Sequence, residues 1–536
     1  MIKRLLIANR GEIALRVIRA CREVAVETVA VYSDADAHAP HVAAADRASR
    51  LGPAPAADSY LAIPRVIEAA RASGADAVHP GYGFLSENAR FAGACEHAGL
   101  TFVGPPSTVI ARMGSKIDAR RLAQEAGVPV VPGETPDDQS DEGLRGAIER
   151  VGLAALIKPS SGGGGKGMHR VHRPEEIADA VQGARREAVA AFGDGTLYVE
   201  RLIERPRHIE VQIFGDHHGH VVHLYERDCS VQRRHQKVIE ETPSPGLTSA
   251  LRHRMTDAAV RVATAAGYRN AGTVEFLVDA ARGVTDETPF YFLEMNTRLQ
   301  VEHPVTEMVT SIDLVHWQIR IARGEHLDID PEQAMTPRGH AIECRVYAED
   351  PDQGFMPSPG LIRGLRPASG PGVRDDAGVS VGYTVPVFYD SLMAKLVAWA
   401  GSRQDAIDRM TRALSEYQVL GIRTTIPFFL WLMRQPDYIA GRYDTTYLDR
   451  VLAERAGPGS GTTFSELTDD EEQLAAMATG LDAYLRASAG QGTAPSSAAG
   501  LWKSAARREA LRPFECLRVV PSKVEGRQAP GRALRE

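Results

Sequence analysis

The first hundred residues alternate short apolar runs with segments of helical periodicity. The run "RLLIA" (4–8) predicts a strand, and "TVAVYS", "ADAVHPGYG" and "LTFVGPP" predict three more. Between the first two, apolar side chains recur at helical spacing, at Ile13, Val17, Ile18 and Cys21. This alternation is typical of a doubly wound domain with a parallel sheet. Ligands bind such sheets beyond the carboxyl ends of the strands. Asn9, Arg10, Gly11, His79 and the loop 81–88 are expected there.

The pattern changes three times after this domain, and we predict an α/β and α+β multidomain chain divided at 1–129, 130–204, 205–450 and 451–536. The second segment opens with the turn-rich "VPGETPDDQSDEG", and the third is β-rich, with a hairpin around "GDHHGH". The last contains a linker, a basic tail and a helix that begins with a Thr468–Glu471 capping box. That helix places apolar residues at helical spacing: Leu474, Met477, Leu481, Tyr484 and Leu485.

Polar and apolar residues alternate strictly in "EMNTRLQVEH" (294–303). As a strand, this stretch would place its polar side chains on one face, namely Glu294, Asn296, Arg298, Gln300 and Glu302. Five polar groups of both signs on one face indicate either a solvated sheet surface or a binding site.

Composition narrows the class of protein without selecting a function. The chain has 536 residues, 43% hydrophobic and 24% charged, with a net charge of −7, as expected for a soluble multidomain protein. We expect no nucleic-acid partner, no membrane span and no signal peptide. The five cysteines are scattered and form no CxxC pair, which favours reduced thiols in a cytoplasmic enzyme over a zinc site or disulfides.

Two segments have the composition of anion sites. "KPSSGGGGKGM" brackets four glycines between Lys158 and Lys166, and its backbone amides suit a nucleotide phosphate tail better than a flexible hairpin. It matches neither a Walker A loop nor GxGxxG. "ERDCSVQRRHQK" indicates an anion site or a solvated loop, and carries Arg227, Arg233, Arg234, His235 and Lys237. Glu200 ends a predicted strand. It is either a hinge residue or part of a segment that presents backbone groups to the edge of a purine.

Two carboxylates on neighbouring predicted strands suggest a cation site. Glu275 lies in "GTVEFLVD" and Glu294 in "FYFLEMN", with Asn296 two residues further on. These all-oxygen ligands suit Mg²⁺ or Mn²⁺. Surface ion pairs are the alternative interpretation.

Six motifs in order over residues 1–450 resemble the biotin carboxylases, which are ATP-grasp enzymes. They are "LIANRGEIA", "HPGYGFLSEN", "KPSSGGGGKGM", "ERDCSVQRRHQK", "EMNTRLQVEHPVTE" and "GHAIECRVYAEDP". The resemblance implies an N-terminal Rossmann-like pre-ATP-grasp domain, an ATP-grasp lid bearing the glycine loop, and a C-terminal ATP-grasp domain. Residues 451–536 fall outside it.

The resemblance also implies site residues. For ATP these are Lys116, Lys158, Gly164, Gly165, Glu200, Arg201, Leu202, Ile203, His208, Gln232, His235, Glu275 and Glu294. About two Mg²⁺ or Mn²⁺ ions are expected on Glu275, Glu294 and Asn296. Bicarbonate and biotin would bind Lys237, Arg298, Gln300, Val301, Glu302 and Arg345, among which Glu302, Arg298, Arg345 and Lys237 would be catalytic. A straight strand would separate Glu294 from Glu302 by about 26 Å, so we expect a bend after Asn296.

The implied reaction is the ATP-dependent carboxylation of biotin through carboxyphosphate, with Glu302 as the general base. No "AMKM" or "VMKM" biotinylation motif occurs in the sequence, so biotin is expected on a separate carrier protein. The resemblance implies that the chain is a subunit of an acyl-CoA carboxylase and acts with a carboxyltransferase subunit. It also implies a homodimer. The rival hypotheses are a different ATP-grasp ligase, joining a carboxylate to an amine, and a non-catalytic scaffold.

Overall fold

The computed structural model describes residues 2–160, 167–330, 336–455 and 463–464, and residues 477–478, 480–481 and 484–485. It divides into two compact units, Met1–Ser465 and Glu466–Glu536. In the second unit, Met477, Leu481, Tyr484 and Leu485 are helical and exposed. The predicted Thr468–Glu471 capping box and Leu474 lie outside the described residues. In the described part of the chain, no helix is both long enough and apolar enough to cross a membrane.

The first unit begins with the predicted parallel sheet. Its strands run in the order β3-β2-β1-β4-β5, and all pairings are parallel. The strands are β1 (Arg4–Ile7), β2 (Glu27–Ser33), β3 (Arg47–Gly52), β4 (Ala77–His79) and β5 (Thr101–Phe102). The helices are α1 (Gly11–Glu23), α2 (Pro40–Ala44), α3 (Ile63–Ser73), α4 (Ala89–His97), α5 (Ser107–Gly114) and α6 (Lys116–Glu125).

A small antiparallel sheet follows, in the order β6-β9-β7-β8. Its strands are β6 (Gly133–Glu134), β7 (Ala155–Pro159), β8 (His169–Val171) and β9 (Leu197–Arg201), and its helices are α7 (Asp141–Val151) and α8 (Ile177–Phe192). The glycine run joins β7 to β8, and residues 161–166 lie outside the described residues. Apolar residues of both helices pack on the sheet, so this segment has its own core.

The largest element is an eight-stranded sheet in the order β14-β13-β10-β11-β12-β15-β22-β20. Its strands are β10 (Pro206–Gly215), β11 (Val221–Arg233), β12 (Gln236–Thr242), β13 (Asn270–Asp279), β14 (Phe290–Asn296), β15 (His340–Tyr347), β20 (Val373–Ala377) and β22 (Leu392–Ala400). The described residues also form three two-stranded pairs: β16 (Glu349–Asp350) with β17 (Met356–Pro357), β18 (Gly360–Leu361) with β21 (Thr384–Val385), and β19 (Gly364–Arg366) with β23 (Gln418–Leu420).

Helices cover the large sheet. They are α9 (Ser249–Ala266), α10 (His303–Thr310), α11 (Leu314–Ala322), α12 (Arg403–Glu416), α13 (Ile426–Leu432), α14 (Pro436–Ile439) and α15 (Tyr447–Arg455). One buried cluster joins α1, including Ile13 and Val17, to Trp317 and Ile319 of α11. Burying each such side chain contributes about 1.5–3 kcal/mol. The N-terminal sheet is therefore fixed against the large sheet by a shared core.

The alternating stretch 294–303 bends as expected. Strand β14 ends at Asn296, residues 297–302 pair with no strand, and α10 begins at His303 with Pro304 in its first turn. Proline is favoured there because the amides of the first helical turn have no partner within the helix. The alternation thus describes a strand over 294–296 only, and its later polar residues belong to the connection to α10.

Candidate functional site

The two predicted cation ligands face each other across neighbouring strands. Glu275 of β13 pairs in register with Glu294 of β14, and a bulge follows. Glu275 accepts hydrogen bonds from His208 (2.8 Å), Lys237 (2.8 Å) and Gln300 (3.0 Å). Asn296 approaches Glu294 at 3.4 Å. The side chains expected to bind a cation therefore do meet at the end of this hairpin.

The two acids differ in how their charge is balanced. Burial opposes ionisation of Glu275, but the charges of Lys237 and His208 hold its pKa well below the usual value. Burial and the nearby Glu275 carboxylate raise the pKa of Glu294. A carboxyl whose pKa is raised by a like charge gains from a cation placed beside it. Together with the amide oxygen of Asn296, this donor set fits a hard divalent cation.

Lys237 connects these acids to Glu302. Its ammonium donates to Glu210 (2.5 Å), Glu275 (2.8 Å) and Glu302 (2.7 Å). Burial disfavours the charged ammonium, yet the three carboxylates raise the pKa of Lys237 well above its usual value. Lys237 therefore stays protonated, and carboxylates of the protein occupy all three of its donors.

Glu302 is fully buried just before helix α10. Its second oxygen accepts a hydrogen bond from the Arg345 guanidinium at 2.9 Å. Burial would raise the pKa of Glu302, but Lys237 and Arg345 lower it far below the usual range. The Nε–H of the same guanidinium donates to Glu240 at 2.6 Å. Arg345 is thus shared between two carboxylates.

The connection 297–302 is attached to the loop 81–88 of the N-terminal domain. Glu87, in the loop that leaves the N-terminal sheet, accepts from the Thr297 amide at 3.1 Å and from Arg298 at 2.9 Å. Asn9 fixes this loop by donating to the backbone carbonyl of Pro80, just before it, and to that of Tyr82 within it. Loop 81–88 therefore lies at the ligand side of the parallel sheet, where the strand order places it.

Gln300 forms hydrogen bonds through its side chain, and Val301 forms one through its backbone carbonyl. The Gln300 amide donates to Asn296 and to Glu275. The Val301 carbonyl accepts from Lys395, a fully buried lysine of β22, at 3.1 Å. Lys395 also pairs with Glu12 of α1 at 3.2 Å, and Glu12 accepts from the Tyr82 hydroxyl. This chain of contacts ties the backbone of residue 301 to the N-terminal domain.

Predicted nucleotide residues form a second cluster beside the first. Lys158 of β7 forms an ion pair with Glu200 of β9. Burial lowers the pKa of Lys116, while the nearby carboxylates of Glu294 and Glu200 oppose that effect. Lys116 therefore lies within electrostatic range of Glu294 and of Lys158, an arrangement suited to a polyphosphate held between the lysines and the acid pair.

The remaining nucleotide predictions lie around these two clusters. Gln232 bonds His208 (2.6 Å), and Arg201 donates to Tyr291 (2.7 Å). The Leu202 amide donates to Ala154, and Ile203 is buried. His235 is exposed at the β11–β12 turn, with a positive φ. Gly164 and Gly165 lie outside the described residues.

Neither sequence interpretation of Arg227 is correct. Arg227 is neither in a solvated loop nor free to bind an anion, because its guanidinium is fully buried in strand β11. It donates to Gln212, Thr273 and Thr306 and pairs with Glu210. It therefore neutralises Glu210 from one side, while Lys237 does so from the other.

Several residues that build the site carried no sequence signal of their own. Glu210, Glu240 and Lys395 each contact a predicted site residue, but they belong to strands with ordinary β-sheet patterns. A charged residue in a strand buried on both faces is the signal that could have found them, because such a charge requires a partner.

Family comparisons match nearly all of the first unit. Residues 1–110 match the model "Biotin carboxylase, N-terminal domain", residues 115–330 match "Carbamoyl-phosphate synthase L chain, ATP binding domain", and residues 343–450 match "Biotin carboxylase C-terminal domain".

Individual relatives agree with these matches. A protein named biotin carboxylase from Halalkalibacterium halodurans is 50% identical over 457 residues, covering 85% of this chain and 99% of that protein. The mitochondrial methylcrotonoyl-CoA carboxylase subunit alpha of Oryza sativa subsp. japonica is 52% identical over 84% of this chain, which spans 60% of that subunit's length.

Solved structures are also similar. A biotin carboxylase–β,γ-ATP complex from Campylobacter jejuni has a TM-score of 0.80 and 45% identity, covering 84% of this chain and 99% of that one. The biotin carboxylase domain dimer of Hydrogenobacter thermophilus 2-oxoglutarate carboxylase, in complex with MgADP, ADP and bicarbonate, has a TM-score of 0.79 and 45% identity, covering 84% and 98%.

Proposed function

This chain belongs to the biotin carboxylase family, and we propose that it uses ATP and bicarbonate to carboxylate biotin carried by a separate protein. The observation that carries this proposal is Lys237, whose single ammonium contacts both Glu275 of the acid pair and Glu302. A phosphoryl group beside the acid pair and a nucleophile beside Glu302 would therefore be neighbours. Catalysis of phosphoryl transfer depends mainly on such positioning.

Glu302 is the proposed general base. It is ionised in the free protein because Lys237 and Arg345 neutralise it, but an acid with so low a pKa is a weak base. When bicarbonate draws Lys237 and Arg298 toward itself, Glu302 loses part of this neutralisation and becomes more basic. It then takes the bicarbonate proton, and a carbonate oxygen attacks the γ-phosphate. The bond to ADP breaks, and carboxyphosphate is the product.

The acid pair and Asn296 are the proposed residues for about two Mg²⁺ or Mn²⁺ ions. When bound, such ions spread the negative charge of the triphosphate. The chain's own cations act alongside them, because Lys116 lies within electrostatic range of both Glu294 and Lys158. We propose that the lid loop with Gly164 and Gly165 covers the phosphates, and that Glu200 to Ile203, His208, Gln232 and His235 hold the rest of the nucleotide.

Arg345 is the proposed biotin residue. Carboxyphosphate breaks down to CO₂ and phosphate, and the phosphate takes the proton from the ureido nitrogen of biotin. The guanidinium of Arg345 stabilises the oxygen of the resulting enolate-like ureido group. Gln300 and the backbone of Val301 complete the bicarbonate site. The proposed partners are a biotin carboxyl carrier protein, a carboxyltransferase of an acyl-CoA carboxylase, and a second copy of this chain.

Turnover distinguishes this function from its rivals. The purified chain with MgATP should form ADP only when bicarbonate is present, and free biotin should accelerate ADP formation, because biotin removes the CO₂ equivalent that carboxyphosphate supplies. ADP formation that is independent of bicarbonate would instead support a different ATP-grasp ligase. No ADP formation under any of these conditions would support the non-catalytic scaffold.

Replacing Glu294 tests the cation site separately. Glu294→Gln should raise the Mg²⁺ concentration needed for half-maximal ADP formation by about tenfold or more, because a neutral amide is a much poorer ligand for a hard cation. The measurement is a Mg²⁺ titration at saturating bicarbonate. Glu287→Gln, in the exposed turn between β13 and β14, is the matched control and should titrate like the wild type. An unchanged Mg²⁺ requirement in Glu294→Gln would remove Glu294 from the site.

A further inference from the structure

Two buried carboxyl groups next to the site have no part in the steps above. Glu240 of β12 lies opposite Glu343 of β15 in the sheet register, so both side chains point to the same face. Both residues are fully buried. One oxygen of Glu240 accepts from Arg345, whereas its other oxygen and both oxygens of Glu343 have no hydrogen-bond partner among the described residues.

The charges around this pair do not suffice for two ionised carboxylates. The charged and titratable groups that face it are Arg345, Lys395, Lys237, Cys229, Glu302, Cys344 and Tyr347. Lys237 is already surrounded by three carboxylates, and Lys395 pairs with Glu12. Arg345 serves Glu302 as well as Glu240. An unpaired carboxylate in a protein interior takes up a proton in preference to staying charged.

The unpartnered oxygens indicate which acid is protonated. Glu343 has no hydrogen bond that would stabilise a negative charge, and burial raises its pKa well above the usual value although Lys395 opposes the effect. Burial also raises the pKa of Glu240, to about 7, with the charge of Arg345 limiting the rise. Glu343 is thus the neutral member, and Glu240 is the member whose charge changes near neutral pH.

We propose that Glu240 and Glu343 form a carboxyl pair that keeps one proton on Glu343. Glu240 is a positioning residue that shares the Arg345 guanidinium with Glu302, and this role rests on the proposed function. When Glu240 is ionised, Arg345 divides its charge between two carboxylates. Glu302 is then less strongly neutralised and is the better base, and the guanidinium stays centred where the biotin oxygen would bind.

Protonation of Glu240 has the opposite effect. Arg345 then has one anionic partner, and its guanidinium is drawn onto Glu302. The ion pair lowers the basicity of Glu302 further and moves the guanidinium away from biotin. The pair therefore ties the reactivity of the base and the position of the biotin-binding arginine to a single ionisation.

The pH dependence of biotin-dependent turnover tests the role of Glu240. In the wild type, kcat/KM for biotin should rise with an ionisation near the pKa of Glu240, about 7. In Glu240→Gln this rise should be lost. The value of kcat/KM for biotin at pH 8 should also fall by about tenfold, because the variant lacks the charge-assisted hydrogen bond between Arg345 and Glu240. The KM for ATP should not change, because Glu240 forms no hydrogen bond or ion pair with a nucleotide residue in the described part of the chain.

Glu226→Gln is the matched control for this experiment. Glu226 is also a fully buried carboxyl bound to one arginine, Arg252, and its pKa is raised. Among the residues that the structure describes, its second oxygen has no partner and its side chain bonds no site residue. Glu226→Gln should keep the wild-type pH profile. The inference is overturned if Glu240→Gln keeps the rise near pH 7, or if Glu226→Gln loses it as well.

Stability tests the proton on Glu343 without any turnover. A carboxyl whose pKa is raised by folding contributes stability below its unfolded pKa, and that contribution is lost as pH rises toward the folded value. Glu343→Gln removes this loss. The difference in Tm, variant minus wild type, should therefore increase from pH 5 to pH 8. A difference that decreases or stays constant would mean that Glu343 is ionised against Lys395 and would overturn the inference.

The two proposals fail in different ways. A wild-type protein without bicarbonate-dependent turnover would remove the proposed function, while the Tm measurement on Glu343→Gln would still decide the charge state of the pair. A wild-type protein with normal turnover, beside a Glu240→Gln variant with an unchanged pH profile, would remove only the positioning role.

Discussion

Glu302→Gln is expected to abolish bicarbonate-dependent ADP formation and biotin carboxylation while leaving nucleotide binding intact. The amide has the shape of the carboxylate but cannot take the bicarbonate proton. Loss of a positioned general base typically costs about 10²–10⁴-fold in rate. Lys237 and Arg345 also lose their shared anion. The rate is measured as ADP formed with saturating MgATP, bicarbonate and biotin.

Nucleotide binding serves as the internal control for this variant. Lys116, Lys158 and Glu200 make no contact with Glu302 among the described residues, so the Kd for MgATP, measured by calorimetry, should stay near the wild-type value. Arg345→Ala should behave in the same way, because it removes the group proposed to stabilise activated biotin. Arg338→Ala, at an exposed site on the approach to β15, is its matched control. Near wild-type turnover in Glu302→Gln or Arg345→Ala would place the second-substrate site elsewhere.

Lys395→Met is expected to destabilise the protein by about 3–5 kcal/mol, the usual cost of removing one partner of a buried ion pair. Lys395 is fully buried between Glu12 and the Val301 carbonyl. Its loss leaves a buried carboxylate without its cation and releases the peptide proposed to bind bicarbonate. The free energy of unfolding, from urea denaturation, should fall accordingly, and the KM for bicarbonate should rise.

The double variant Glu12→Gln/Lys395→Met separates the charge effect from packing. Removing both charges leaves no unpaired ion in the core, so it should recover much of the stability that Lys395→Met loses. The peptide at residue 301 stays unsupported in both variants, so the KM for bicarbonate should remain high in both. A Lys395→Met variant as stable as the wild type would show that this ion pair is not needed for folding.

Much of the fold follows from local patterns. The alternation of apolar strands and amphipathic helices predicted the parallel N-terminal sheet, and turn composition predicted the β10–β11 hairpin. The acid pair also follows from local sequence, because Glu275 and Glu294 lie on strands joined by one turn and meet in register. Each of these inferences needed only residues close together in the chain.

The residues that the sequence did not reveal are joined over long distances. Lys395 is 94 residues from Val301, Arg345 is 105 residues from Glu240, and Thr297 is 210 residues from Glu87. Such contacts depend on the register of strands that meet only in the folded sheet. Arg227 was misread for a related reason. Its polar neighbours on the face of β11 look solvated in the sequence, but the sheet encloses them.

The three carboxylates around Lys237 compete with the substrate anion for the same ammonium group. Bicarbonate must displace internal carboxylates held at an effective concentration far above that of any ion in solution. Every anion from solution faces this competition, so only one that makes further contacts in the site can displace the internal carboxylates. The same arrangement limits wasted ATP, because the base becomes reactive only after a ligand has taken over its counter-ions.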